Sequence, residues 1–385
     1  MQYFCGLDVS IKETAVCVVN GDGDVLLRTA VPTEPEAIRD ALEPFMQGLQ
    51  RVGHEAGALS PWLQPQLLAL GLPVVCLEAL HVRAALNAQR NKTDAADALG
   101  IAHLVRTGWY KNAHIKSEAC YRLRLLLTHR RNLKRKFLDL ENAIRHSLKA
   151  FGIRLNKVGR AGFDAAVRAA VAEDPFTTEL MDSMLMARAA LWKQYLHLHD
   201  LVLAQVGQDE LCRRFMGIPG VGPVTALSFR TAIEDPTRFK HSRDVAAYFG
   251  LTSKRWQSGS SIDIQGRISK AGDPDVRRSL YEAATVLLKR FRGQDKVKTW
   301  GLQIAKRSCH HKAAVAVARK LAVIMHAMWS DGTCYDGAAG VPSEAQCERT
   351  RRKEQKHLGR HAKAVSERVQ TSESVTTDSV QRASA

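Results

Sequence analysis

The order of strand and helix patterns in the first hundred residues is the feature that most limits the fold. Three short apolar runs come first, and the tight turn Asn20-Gly21-Asp22-Gly23 joins the second run to the third. The predicted elements are strands at 3–9, 14–19 and 25–31, a helix at 35–49, a weak strand ending at Glu55, a helix at 61–70, a strand at 73–77 and a helix that Thr93 caps and that runs to about Arg106. A meander followed by alternating helices and strands predicts an α/β sheet of the ribonuclease-H-like type.

The rest of the chain is mostly helical until it becomes polar. Two long helices rich in leucine and basic residues are predicted, at about 117–150 and 178–206. Helices of this length, joined by a loop, indicate either an antiparallel pair or a dimerising coiled-coil arm. After Cys334 the composition is rich in Ser, Thr, Arg and Glu, which is typical of disorder. We therefore predict domains at 1–112, 113–208 and 209–332, and a disordered tail at 333–385.

The charge balance indicates the kind of partner. The 56 Lys and Arg residues against 39 Asp and Glu give a net charge of +17, which favours nucleic acid as a partner over a merely soluble basic protein. The N-terminus has a strand pattern rather than a secretory signal, and we expect no stretch near the roughly 18 apolar residues of a membrane span. The eight cysteines include no Cys-x-x-Cys pair, which favours reduced thiols. We expect a cytoplasmic protein with no membrane partner.

Four carboxylates stand where strands end or a helix begins. Asp8 ends the first strand, Glu55 follows the fourth, and Asp94 and Asp97 share one face of a helix's first turn. Hard cations such as Mg²⁺ need clustered oxygen ligands, and phosphoryl transfer needs such cations. Each acid alone has a structural explanation, because Asp94 and Asp97 would stabilise a helix dipole and Asp8 could cap a turn.

A glycine-rich turn between helices is a candidate DNA-backbone contact. The stretch Gly217-Ile-Pro-Gly-Val-Gly-Pro223 leaves amide groups at the start of the next helix, where phosphate can bind. Gly220 and Gly222 would belong to a helix-hairpin-helix of this kind. The alternative is a plain glycine turn between packed helices.

A serine in a predicted flexible Gly/Ser loop is a candidate nucleophile. Cations that would hold a phosphate and favour the alkoxide surround Ser258 in the sequence. The predicted nucleic-acid-binding residues are Lys92, Arg130, Arg131, Lys134, Gly220, Gly222, Lys254, Arg255, Arg267, Lys270, Arg277 and Arg278. By spacing alone Ser258 is an ordinary loop serine, and Ser260 and Ser261 are alternative nucleophiles. The basic residues on the long helix are equally consistent with a face that only contacts solvent.

These residues, in this order, resemble the DEDD transposases of the IS110 insertion-sequence family, which are related to the Piv-type DNA invertases. The resemblance covers roughly residues 1 to 330. Its most specific parts are Lys92-Thr-Asp94-Ala-Ala-Asp97 and the Ser258-Gly-Ser-Ser261 stretch before Ser269-Lys-Ala-Gly272. Gly6-Leu-Asp8, Glu55-Ala-Gly, Ile218-Pro-Gly-Val-Gly222, Tyr248-Phe-Gly-Leu251 and Arg277-Arg278 complete it.

The resemblance implies a mechanism that the spacing does not. The N-terminal domain would be RuvC-like, with Asp8, Glu55, Asp94 and Asp97 as Mg²⁺ ligands. The C-terminal domain would supply Ser258 for a transient phosphoserine link to DNA, in a composite site of a homo-oligomer, dimer or tetramer. A structured guide RNA would pair with donor and target DNA, so that base pairing supplies most of the sequence choice.

Two other functions remain open at this point. A RuvC-like structure-specific nuclease would use the same metal site with water as the nucleophile, so Ser258→Ala would leave its strand cleavage intact. A non-catalytic nucleic-acid-binding protein would have no metal-dependent chemistry, and Asp94→Asn would leave its binding unchanged.

Overall fold

The computed structural model describes residues 1–87, 93–155, 158–258 and 262–337. The chain divides into two compact units, Met1–Tyr121 and a second that starts at Arg122. Lys92, Ser260, Ser261 and most of the tail at 333–385 lie outside the described residues. The ranges 113–208 and 209–332 fall largely in the second unit, and their division into separate domains stays a prediction.

A mixed five-stranded sheet forms the centre of the first unit. Its strands are β1 (Tyr3–Val9), β2 (Glu13–Asn20), β3 (Val25–Pro32), β4 (Leu49–Glu55) and β5 (Val74–Leu77). They lie in the order β3-β2-β1-β4-β5. The pairs β3-β2 and β2-β1 are antiparallel, and the pairs β1-β4 and β4-β5 are parallel. The predicted mixed sheet is confirmed, including the weak strand before Glu55.

Helices cover both faces of this sheet. They are α1 (Pro35–Leu42), α2 (Ser60–Ala69), α3 (Ala79–Leu86) and α4 (Asp94–Thr107). Alternation along β1 sends Cys5 and Leu7 into a core with α1 and α2, whereas Phe4 packs on the opposite face with residues of α4. The helix predicted over 35–49 is shorter: it ends at Leu42 and a 3₁₀ turn follows, because Pro44 has no N–H to continue the helical ladder.

The second unit is mostly helical. Its helices are α5 (Glu118–Leu148, which begins just before the boundary), α6 (Phe163–Val171), α7 (Pro175–Gln208), α8 (Glu210–Met216), α9 (Pro223–Ile233), α10 (Asp244–Tyr248), α11 (Pro274–Lys289), α12 (Lys296–Arg307) and α13 (His310–Ser330). Phe215, Phe229 and Phe249 stack edge-on or tilted inside its main core. Helices α9, α11 and α13 contribute most of the remaining core residues.

Helices α5 and α7 pack against each other in opposite directions. Arg130 donates a 2.7 Å hydrogen bond to the hydroxyl of Tyr195, and further along α5 Glu141 pairs with Arg188 of α7. Because the contact point moves forward on α5 as it moves back on α7, the two helices are antiparallel. The antiparallel-pair alternative agrees with the structure, while a coiled-coil dimerisation arm stays a prediction.

A two-stranded hairpin replaces part of the loop predicted around Ser258. Strands β6 (Ser253–Ser258) and β7 (Ile262–Ile268) pair antiparallel, with Trp256 opposite Ile264 and Ser258 opposite Ile262. Aromatic and β-branched residues at alternate positions favour strand over loop, and the loop prediction was therefore wrong for Ser258 itself.

Helix α13 is an exception to the expectation that no stretch is long and apolar enough to span a membrane. It alone, among the described helices, is long and apolar enough to cross a membrane by length and composition. Half of its most apolar stretch is buried, and Val317, Leu321 and Met325 are fully enclosed in the main core of the second unit. Core helices of soluble proteins pass the same test, so this is weak evidence for a membrane span.

Candidate functional site

Asp8 and Glu55 lie at the carboxyl ends of neighbouring parallel strands. In the register of β1 and β4, Gly6 pairs with Gly53 and Leu7 with His54. Asp8 and Glu55 are the next residues on their strands, so they end adjacent strands at the same edge of the sheet. Asp8 is half-buried and Glu55 is exposed.

Two glycines determine which face the acids occupy. A Cβ on Gly6 would overlap the backbone of α4 at Ala98 and Ala102, and a Cβ on Gly53 would overlap the side chain of Val105. Both glycines therefore face α4. Since side chains alternate along a strand, Asp8 and Glu55, two residues further on, face the same side. The sequence analysis gave neither glycine a role, although the sequence carries the signal: a glycine two positions before each of the two acids.

Helix α4 runs antiparallel to β1. Near its C-terminus, Arg106 donates a 3.0 Å hydrogen bond to the carbonyl oxygen of Gly21. Gly21 follows Asn20, which pairs with Tyr3 at the start of β1. The first turn of α4, with exposed Asp94 and half-buried Asp97, therefore points toward the edge where β1 and β4 end. The three elements that carry the four predicted acids therefore converge on this edge.

The start of α4 is fixed by a side-chain cap. The hydroxyl oxygen of Thr93 accepts a 3.2 Å hydrogen bond from the backbone N–H of Ala96, as the sequence predicted. This cap sets where the first turn begins and hence where Asp94 and Asp97 project. Carboxylates in a first turn also stabilise the helix dipole, so their structural role and a metal-binding role are compatible.

We expect Thr93→Ala to destabilise the first unit by about 1 kcal/mol, because the Ala96 N–H at the helix start loses its side-chain acceptor and keeps only the carbonyl oxygen of residue 93. Thermal unfolding of the full chain would show this as a melting temperature lowered by several degrees. Thr93→Ser keeps the hydroxyl and should restore most of the loss. A melting temperature that is the same in Thr93→Ala as in wild type would contradict the assigned cap.

A buried histidine holds the end of β4, and sequence reasoning missed it. His54 is almost fully buried; its Nδ1 lies 3.1 Å from the carbonyl oxygen of Glu55 and its Nε2 lies 3.1 Å from the Gln64 side-chain oxygen. The hydroxyl of Ser60 also approaches this ring and the same carbonyl oxygen, at 3.3 Å each. Burial lowers the pKa of His54, which favours the neutral ring. The network ties the backbone at Glu55 to α2.

The donor set at this edge fits a hard divalent cation. Asp8, Glu55, Asp94 and Asp97 offer only carboxylate oxygens, which Mg²⁺ prefers to nitrogen or sulfur ligands. Within the described ranges, no group of three or more His, Cys, Asp and Glu side chains is drawn together at ligand distance. The elements therefore share an edge without forming a closed coordination sphere.

In the second unit, Ser258 ends an exposed strand. Lys254 and Arg267 on the hairpin are exposed, as is Ser258. Arg255 makes two hydrogen bonds to Asp263 across the strands, at 2.7 and 2.6 Å. This contact raises the pKa of Arg255 and lowers that of Asp263, so both stay charged. Arg255 is thus already paired with a carboxylate.

The glycine turn between α8 and α9 is explained in part by packing. Gly220 has φ 93°, and a Cβ there would overlap the Ala283 carbonyl oxygen of α11. Gly220 therefore lets a helix approach closely inside the protein. Gly222 is the N-cap of α9 and has open space at its Cβ position. A helix-hairpin-helix that binds DNA stays a prediction.

Other predicted nucleic-acid-binding residues have partners in the second unit. Arg130 bonds Tyr195 and His199, Arg131 pairs with Asp275, and half-buried Arg277 donates to the carbonyl oxygens of Phe249 and Gly272. Burial lowers the pKa of Arg130 and Arg131. Lys134, Lys270 and Arg278 are exposed, and Arg278 lies 3.6 Å from Asp275. The three exposed cations are therefore better placed to contact a phosphate backbone than the three arginines that already have partners within the protein.

Comparison with known proteins gives matches along most of the chain. A DEDD transposase family model of the IS110 type matches residues 5–153, and the model described as the transposase IS116/IS110/IS902 family matches residues 212–299. A putative transposase of Sinorhizobium fredii is 31% identical over 258 residues, which are 66% of each chain. The transposase for insertion sequence element IS1111A of Coxiella burnetii is 26% identical over 72% of this chain and 77% of its own.

Two further similarities are more limited. The pilin gene-inverting protein of Moraxella bovis is 27% identical over 31% of this chain and 37% of its own. The structure of Thermus thermophilus RuvC is 19% identical and covers 29% of this chain and all of its own, with a TM-score of 0.23, which is too low to support an inference. The two family models together cover more than half of the chain. The chain belongs to the IS110 family of DEDD transposases, and is thus a DNA transposase by family.

Proposed function

We propose that this chain cuts and rejoins DNA as the transposase or site-specific recombinase of an insertion sequence, with a carboxylate metal site in the first unit and Ser258 as the nucleophile. The observation that carries the proposal is the arrangement of Asp8, Glu55 and the first turn of α4 at one edge of the sheet. Three elements that are far apart in the sequence, β1, β4 and α4, have their acid-bearing ends at this one edge. If each acid had only a structural role, nothing would require the three elements to carry acids at the same edge of the sheet.

Asp8, Glu55, Asp94 and Asp97 would hold Mg²⁺. When bound, Mg²⁺ would neutralise the charge that develops on the phosphoryl oxygens during transfer. The His54 network keeps the backbone at Glu55 in place, and the Thr93 cap fixes the first turn of α4. The protein's contribution at this edge is therefore to hold oxygen ligands in position.

The proposed reaction at Ser258 exchanges one phosphoester bond for another. Its hydroxyl oxygen attacks a DNA phosphorus, the bond from phosphorus to the leaving deoxyribose oxygen breaks, and that oxygen takes up a proton. The serine proton passes to solvent. Attack by another deoxyribose hydroxyl on the phosphoserine reverses these changes and joins a new strand, so no external energy source is required. Exposed Lys254 and Arg267 are suited to hold the phosphate.

The proposed partners follow from charge and family. A net charge of +17 is suited to holding donor DNA, target DNA and a structured guide RNA. A homo-oligomer, dimer or tetramer, would bring two sets of strands together for exchange. We place the protein in the bacterial cytoplasm, associated with the nucleoid when it is bound to DNA.

Asp8→Asn tests the metal site. The substitution keeps the size of the side chain but removes its charge, so we expect cleavage of a plasmid that carries the element's ends to fall by at least about 10³-fold, which is several kcal/mol of barrier. Assays would contain Mg²⁺ and RNA transcribed from the flanking DNA, and EDTA should abolish cleavage by wild type. Melting temperature would show whether the variant is folded.

Asp22→Asn is the matched control, because exposed Asp22 lies in the turn that joins β2 and β3, at the opposite edge of the sheet. It should cleave as wild type does. Full cleavage by folded Asp8→Asn would overturn the metal site at this edge. If wild type binds DNA but never cleaves it with any divalent cation, the proposed enzyme activity fails as a whole.

A further inference from the structure

The hairpin of β6 and β7 presents an exposed aromatic side chain beside the proposed nucleophile. Side chains alternate along a strand, so Lys254, Trp256 and Ser258 occupy one face of β6. Trp256 is 54% exposed and its cross-strand partner Ile264 is 59% exposed. The two side chains lie next to each other across the strands and form an apolar patch on this face of the hairpin.

The side chain of Trp256 packs on the neighbouring strand of the hairpin. A Cβ on Gly266 of β7 would overlap the six-membered ring of Trp256, so the indole lies over the glycine. Any other residue at this position would push the ring away from the strand. The indole is thus supported from below by the hairpin while more than half of the residue remains open to solvent. A flat aromatic ring held in this way is suited to stacking.

The charges near this ring favour a polyanion. Arg255 and Asp263, which alternation places on the other face, satisfy each other through two hydrogen bonds. The exposed cations of the hairpin are then Lys254, on the face of Trp256, and Arg267. An aromatic side chain combined with cations is the combination that binds single-stranded nucleic acid, where bases stack and phosphates pair with the cations.

We propose that Trp256 stacks on an unpaired DNA base next to the phosphate that Ser258 attacks. The link to Ser258 rests on the proposed function; the stacking itself does not. Trp256 and Ser258 are two residues apart on one strand face, roughly 6.7 Å along the strand, so one nucleotide can reach both side chains. A base paired within a duplex has its faces covered by neighbouring bases, so a ring at this position requires a base that has left the stack.

The test measures binding to bases separately from binding to phosphates. Full-length protein in EDTA, where no cleavage is expected, would be titrated with a 20-nucleotide oligo-dT, and with an oligo-rU and an abasic phosphodeoxyribose chain of the same length. The variants are Trp256→Ala and Trp256→Phe, with Trp300→Ala as the matched control because Trp300 of α12 is also exposed.

We expect Trp256→Ala to weaken binding to oligo-dT by roughly 10-fold and to leave binding to the abasic chain unchanged, as for the loss of one stacked base. Trp256→Phe should recover most of the affinity. In wild type, a base stacked on Trp256 should quench part of the tryptophan fluorescence when oligo-dT binds, and Trp256→Phe should lose this quenching. Trp300→Ala should bind both probes as wild type does. This outcome holds even if Ser258 is not a nucleophile.

Three results would overturn the proposal. Equal losses for oligo-dT and the abasic chain would mean that Trp256 does not contact bases. A loss that occurs with oligo-rU but not with oligo-dT would assign the ring to RNA. A change in oligomeric state by sedimentation in Trp256→Ala, with no change in the affinity for oligo-dT, would show that the ring packs against a second copy of the chain.

Discussion

Ser258→Ala is expected to abolish the covalent link between protein and DNA completely. The substitution removes the only oxygen of this side chain and so removes the proposed attacking atom. Wild type with Mg²⁺, RNA transcribed from the DNA that flanks the gene, and end-labelled donor DNA should give a labelled protein band that survives denaturation in a gel. Ser258→Ala should give no such band, and its strand cleavage should fall to background.

Ser253→Ala is the matched control for this experiment. Ser253 is an exposed serine at the other end of the same strand, so the two variants differ in position and not in chemistry. Ser253→Ala should form the band as wild type does. Cleaved DNA in Ser258→Ala, with no covalent band in any variant, would indicate water as the nucleophile and would leave the acid site standing as that of a nuclease.

Gly6→Ala is expected to have the largest effect on stability among the sites considered. The added methyl group would overlap the backbone of α4 at Ala98 and Ala102, and backbone cannot move aside as a flexible side chain can. Overpacking of this kind costs about 1–3 kcal/mol and occasionally more. We expect the first unit to lose at least about 2 kcal/mol, seen as a melting temperature lowered by several degrees in calorimetry.

The same substitution should also impair cleavage, because α4 carries Asp94 and Asp97 and would shift away from β1. Gly21→Ala separates this effect from the general cost of replacing glycine, since a Cβ on Gly21 meets nothing within 4 Å. Gly21→Ala should melt and cleave as wild type does. A Gly6→Ala protein with wild-type stability and activity would refute the close packing of α4 on β1.

The first unit could be predicted well from sequence because its signals are local. Apolar runs, the turn at Asn20 to Gly23, and Thr93 before a helical pattern located the strands and α4 to within a few residues. Strand order and the direction of α4 depend on contacts between distant residues, which local patterns do not contain. The acids could be named from sequence, but their common edge became evident only from the strand register and from the packing of Gly6 and Gly53.

The second unit was harder to predict, for two physical reasons. Glycine and serine around 258–261 suggested a loop, and the strand preference of Trp256 and the alternating isoleucines was overlooked. Arginines on a long helix look alike in sequence, whether they face solvent or a partner helix. Only the structure distinguishes Arg130, bonded to Tyr195, from exposed Lys134.

The distribution of the acids over β1, β4 and α4 has a consequence for the newly made protein. No short segment contains the whole set, so a nascent chain cannot assemble it until the ribosome has released the end of α4, at Thr107. The proposed nucleophile emerges about 150 residues later. Under the proposed function, a chain that stops before Ser258 would contain the four acids without the nucleophile, and so would form no covalent link to DNA.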